Sequence, residues 1–134
     1  MSASAELQKL VRALLLADTR VTGFIGERVF DERPEGAAYP FIEFGPSDVV
    51  EDGADCIDSG EHTLQLDVWS RAPGHVEAKR LVDAVKKCLH QREASLDDYA
   101  LVEMTVDFRR VFDDPDGKTK HGVVTLRALV EEPE

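Results

Sequence analysis

Apolar residues Leu7, Leu10, Val11, Leu14 and Leu15 recur at the three-and-four spacing of an α-helix, with Glu6, Gln8, Lys9 and Arg12 on the other side. An amphipathic helix is predicted from Ser4. Asp18-Thr19 can break and recap it, and Val21, Phe24 and Ile25 predict a further helical turn ended by Gly26. Arg28-Val29-Phe30 has room only for a brief strand, and 31–38, with Pro34 and Gly36, reads as a loop. From Phe41 the period changes to two. A strand starts at Phe41-Ile42-Glu43-Phe44 and can run to Val50. Its return strand sets His62, Leu64, Leu66 and Val68 on one face against Thr63, Gln65, Asp67 and Trp69 on the other. The stretch 51–60 between them contains Asp52-Gly53 and is too polar to have a core, so it is expected to be a mobile hairpin tip.

Ala72-Pro73-Gly74 stops the second strand. Val76, Val82, Val85 and Leu89, flanked by Ala78 and Leu81, then predict a second amphipathic helix that turns Glu77, Arg80, Asp83 and Lys87 outward. After a connector at 96–99, a closing hairpin is expected. One strand would show Val102, Met104, Val106 and Phe108 on a single face, and the other Val124, Leu126, Ala128 and Val130. Pro115-Asp116-Gly117 reverses the chain between them: proline presets φ, aspartate bonds back to nearby backbone, and glycine takes the positive φ that follows. The tail 131–134 is expected to fray. Helix, short strand, hairpin, helix, hairpin argues an α+β class: a largely antiparallel sheet of four to five strands with two amphipathic helices on one face. At 134 residues the chain fits a single domain, 1–134.

Charge changes this picture in one place. The net charge is −11, and between Pro34 and Ser70 there is no Lys or Arg. The nine acids there are Glu35, Glu43, Asp48, Glu51, Asp52, Asp55, Asp58, Glu61 and Asp67. Such a surface repels nucleic acid, whose binding rests on cations neutralising phosphates. The plain reading is a solvated acidic loop. No apolar run is long enough to span a bilayer and no basic segment leads a hydrophobic start, so a cytoplasmic protein with no membrane partner is expected. Cys56 and Cys88 lie far apart, and a disulfide between them is not expected in a reducing compartment.

The chemistry of catalysis and metal binding finds no purchase. His62, His75, His90 and His121 form no i, i+4 pair, and neither cysteine has a second ligand at zinc-site spacing. Asp114, Asp116 and Gly117 imitate positions 3, 5 and 6 of a calcium loop, but Phe112 and Val123 stand where its first and last ligands belong. Nucleophile-elbow and phosphate-loop motifs are absent. A hydrolase built on the acids and imidazole of 113–121 is therefore disfavoured, and no cofactor and no enzymatic activity are expected.

Four stretches in order carry a resemblance: the helix 10–18; Arg28-Val29-Phe30-Asp31 followed by Tyr39-Pro40-Phe41-Ile42; Trp69-Ser70-Arg71 leading to Glu77-Ala78-Lys79; and the hairpin 111–124. Together, from about Leu7 to about Val130, the chain resembles the tail-completion (tail-terminator) proteins of tailed bacteriophages and phage-derived gene transfer agents. The resemblance implies a structural ring subunit, six copies of which cap the head-proximal end of the tail tube. It also implies contacts with the tail-tube protein and a head-completion or connector protein, and DNA passing through the lumen without specific binding. Candidate lumen or interface residues are Glu51, Asp52, Asp55, Asp58, Asp113, Asp114, Asp116 and Lys118. The alternative is a small α+β module whose acidic loop docks a basic protein partner.

Overall fold

The computed structural model describes residues 2–51 and 58–132. Along the chain run α1 (Ala3–Ala17), α2 (Thr19–Ile25), β1 (Val29–Phe30), β2 (Phe41–Glu51), β3 (Asp58–Ser70), α3 (Val76–Leu89), β4 (Ala100–Asp113) and β5 (Lys120–Glu132). Ser2 starts α1 by accepting the Ala5 N–H at 3.2 Å. Asp18 ends that helix and caps the next: its carboxylate accepts from the Arg20 N–H at 2.9 Å and from the Arg20 guanidinium at 2.7 Å. The bonds to Arg20 hold the Asp18 carboxyl down to about 2. The expected extra turn is thus a separate short helix, and Gly26 ends it at φ 58°.

The five strands form one sheet in the order β1-β2-β3-β5-β4, antiparallel throughout except for the β1–β2 pair. This is the α+β arrangement expected from the residue pattern. Strand alternation sorts the sheet into two faces. His62, Leu64, Leu66 and Val68 of β3 and Val124, Leu126, Ala128 and Val130 of β5 are buried with Ile42, Phe44, Met104 and Val106. The apolar stripes of the helices close over that face: Leu7, Val11 and Leu15 from α1, Val21 and Ile25 from α2, and Leu81, Val82, Val85 and Leu89 from α3. The opposite, open face presents Phe41 and Glu43 of β2, Glu61 to Trp69 at odd positions of β3, and His121 to Leu129 at odd positions of β5.

Three expectations are corrected. The four apolar residues of β4 do not share a face, because register shifts at Leu101/Glu103 and Val106/Phe108 insert Val102 and Asp107 as extra residues. Met104 and Val106 stay in the core, whereas Phe108 is thrown to the open face, and Val102 and Phe108 are each 51% exposed. The hairpin tip is shorter than 51–60: Glu51 ends β2 and Asp58 begins β3, with 52–57 outside the described residues. Nor does the tail fray from 131, since Glu131 and Glu132 pair with Ser59 and Asp58; 133–134 lie outside the described residues.

The edges of the sheet are unequal. β4 is an edge strand, and its half nearest Ala100 is capped by the chain leaving α3. The Gln91 N–H donates to the Met104 carbonyl at 2.8 Å and the Val106 N–H donates to His90 Nδ1 at 3.0 Å. At the other edge β1 covers only Ile42 and Glu43 of β2.

Candidate assembly surfaces

Of the expected site residues that are described, Glu51 and Asp58 sit at one end of the sheet and Asp113, Asp114, Asp116 and Lys118 at the other. Asp58 pairs with Glu132 at one end and Ser70 with Lys120 at the other. The 13 residues of β5 span about 40 Å at roughly 3.3 Å per residue. Glu51 and Asp58 are exposed at the first end, with Glu132 beside Asp58; Asp52 and Asp55 lie outside the described residues. His62 is buried near this end, and loss of hydration pushes its imidazole pKa down, while Glu132 and Glu51 oppose that shift. Most of the basic-free segment is therefore strand and not loop. Glu43, Asp48, Glu51, Asp58, Glu61 and Asp67 all lie on β2 or β3.

At the far end, the β4–β5 turn is organised around Asp116. Its carboxylate accepts from the backbone N–H of Lys118 and of Thr119, both at 2.8 Å, and from the Thr119 hydroxyl at 2.6 Å. Those bonds, the hydroxyl's first, hold the carboxyl down to about 2. Asp114 accepts the Asp116 N–H on its side chain at 3.3 Å and the Gly117 N–H on its carbonyl at 3.1 Å, with Gly117 at φ 72°. Asp113 bonds Lys120 at 2.9 Å and His75 at 3.0 Å, and Lys120 first, then His75, keep its carboxyl below the usual range. Of the four candidates here, Asp113, Asp114 and Asp116 are committed to the turn and its flanks. Lys118 contributes its backbone N–H to that turn.

A cluster that the periodicity did not single out joins this end to the open face. Trp69 stacks on His121 with ring centroids 3.9 Å apart and planes 12° from parallel. His121 Nε2 donates to the Asp67 carboxylate at 2.7 Å, and its ring meets Phe112 at 4.8 Å. Arg33 lies over Phe41 and Trp69 at 4.9 and 4.6 Å while holding Glu43 at 3.0 Å, and Arg71 lies over Tyr39 at 4.2 Å while donating to the Thr119 hydroxyl at 3.1 Å. The Trp69 indole N–H is shielded and has no hydrogen-bond partner among the described residues. The sequence signal was the odd-numbered series ending at Trp69, but no spacing rule could bring in Arg33 and Tyr39 from a loop.

Chemically, these groups bind, stack and neutralise one another. No group of three or more His, Cys, Asp or Glu side chains that could hold a metal occurs among the described residues. Cys88 is buried, its thiol donates to the Leu14 carbonyl at 3.4 Å, and burial pushes its pKa up to about 11, the range of an inert thiol. No helix among the described residues is long and apolar enough to cross a membrane.

Known structures share this fold. A chain from the virion of a native gene transfer agent particle superposes with a TM-score of 0.90 at 24% identity, covering 97% of this chain and 98% of that one. The gp17 protein of bacteriophage SPP1 superposes with a TM-score of 0.63 at 20% identity, covering 94% and 89%. By sequence, no curated protein matches. Residues 9–131 match the family described as tail completion protein gp17, nearly the whole of the sheet and its helices, and the chain belongs to that family of structural tail proteins.

Proposed function

We propose that six copies of this chain form a ring on the head-proximal end of a tail tube, stop its growth and join it to a head-completion or connector protein, with DNA passing through the lumen. The family match over residues 9–131 carries this reading. The domain has what such a subunit needs. The strand ends at Glu51 and Asp58 and the β4–β5 turn lie at opposite ends of one sheet, so one end can face the tube while the other faces the head. Its two lateral edges are unlike, as the heterologous contacts of a closed ring require. The role is structural and asks for no cofactor or catalytic group, and the protein's place is the head–tail junction of a phage or phage-like particle. An acidic lumen that includes Glu51, Asp52, Asp55 and Asp58 would repel phosphate over roughly a Debye length, about 8 Å, letting DNA slide without sticking.

Deletion of the gene tests the reading. Filled heads without joined tails, together with tails of irregular length, are expected under the electron microscope. Normal particles from a clean deletion would overturn it.

A further inference from the structure

Two stretches of strand have backbone on their outer side that no described residue meets: Pro46–Glu51 of β2, beyond the reach of β1, and Phe108–Phe112 of β4, beyond the cap supplied by His90 and Gln91. Unpaired edges invite a further strand. Both carry exposed apolar side chains, Val49 at 41% and Val50 at 64% on one, Phe108 at 51% on the other. Their free charges are opposite. Among the described residues Asp48 has no cation partner and Arg110 no carboxylate partner, and Arg110 lies over the Phe112 ring at 4.7 Å. All four open-face positions, Asp48, Val50, Phe108 and Arg110, follow from the register.

We propose that the occupant of each edge is the other edge of a second copy: β2 of one subunit pairs antiparallel with β4 of the next, Asp48 opposite Arg110 and Val50 opposite Phe108. A single antiparallel register satisfies both pairs, because β2 and β4 run in opposite directions. The extra residue Asp107 ends the ladder on one side, and it is already held by Arg127 at 2.9 Å. Matching faces is required, since a slip of one residue would turn Val50 and Phe108 to opposite sides. The pairing also fixes a stagger. Within one subunit Phe108 lies level with Thr125 and Gln65, and Val50 with Glu61, so the neighbour is shifted along the strands by four residues. Spread over β2, β3, β5 and β4, that is one residue per strand, the ratio of an eight-stranded barrel of shear 8, whose strands tilt by about 36°. A continuous closed sheet can therefore form by repetition of this one contact.

The inference rests on the ring reading, and the test separates the two. In a Cys56→Ser chain, Val50→Cys and Phe108→Cys are introduced together and the protein is oxidised in assembled particles; the pair Asp48→Cys with Arg110→Cys serves as an independent second variant. Thermal melts check that each folds. A non-reducing gel should show a ladder of covalent multimers from either double variant and monomer from each single one, since opposed side chains in such a pair have Cβ atoms about 4.5–5.5 Å apart. Dimers from the single variants would overturn the proposal in favour of each edge meeting its own kind. Multimers after glutaraldehyde with no disulfide ladder would overturn the edge pairing and leave the ring. Monomer under both treatments would overturn both. As a second measurement, Arg110→Asp should lose joined particles and addition of Asp48→Arg should restore them; no restoration counts against the pair.

Discussion

Asp116 shows how much one side chain can organise. It accepts three hydrogen bonds from two residues and depends on Gly117 to bring the chain round at φ 72°. A Cβ at 117 would meet no atom within 4 Å, so the cost of substitution lies in the positive φ. Gly117→Val should destabilise by about 1–3 kcal/mol, read from denaturant melts. Asp116 also gives the fold a pH dependence of known sign. Its folded pKa lies below its unfolded value, so its contribution is fully present above the ordinary carboxylate range, near 4, and is lost as pH falls towards about 2. Melts of Asp116→Asn should show lower stability at neutral pH and a shallower decline between about pH 4 and 2 than the parent; parallel curves would refute the assignment.

At the scale of elements, helix α3 lies so close to β5 that only glycine fits beneath it. A Cβ on Gly122 would stand 2.6 Å from Val82 Cγ2 and 3.1 Å from Val68 Cβ, both in packed β-branched side chains with little room to give. Gly122→Ala should destabilise by about 1–3 kcal/mol through overpacking, with Val82→Ala in the same chain recovering part of the loss. Calorimetric melts of the single and double variants decide it. Adjacent to this contact, β4 illustrates what a pattern of alternate residues hides. Its extra residues Val102 and Asp107 convert an apparently uniform apolar face into two buried positions and two half-exposed ones. The shift at Asp107 also re-aims Phe108 and Arg110 to the open face, where the proposed contact needs them.

For the whole molecule, the decisive property is polarity along the strands: acids at the end of Glu51, Asp58 and Glu132, and a rigid turn cross-linked through Arg71 to the aromatic cluster at the other. Replacing Glu51, Asp52, Asp55 and Asp58 by Lys should leave the domain folded, because Glu51 and Asp58 are exposed and bury no core surface, yet slow DNA passage. Transfer or infectivity of particles carrying the variant is the readout, and undiminished transfer would remove these residues from the lumen. Asp114→Lys probes the opposite end. If that turn meets a neighbour or the connector, head-to-tail joining fails while the melting temperature stays close to the parent's; a large melting shift would confine the turn to the fold.

What the sequence alone determined is the set of elements with strong local signals. The apolar stripes of α1 and α3, the alternation in β3 and β5, and the Pro115-Asp116-Gly117 turn are dictated by short-range periodicity and backbone preference, and each is found where the residues place it. The family was legible for a related reason: its marks are short strings in fixed order. The tertiary structure alone decided the rest. Strand order put β5 between β3 and β4, a choice made by helix α3 crossing from one to the other, which no local pattern encodes. Insertions in β4 shifted register by single residues, and a period-two signal cannot reveal an extra residue that still looks apolar. The Arg33, Trp69 and His121 stack, and the division of acids and turn between opposite ends of the sheet, arise from residues far apart in sequence. Their meeting depends on burial and pairing summed over the whole chain, and that sum is settled only when it folds.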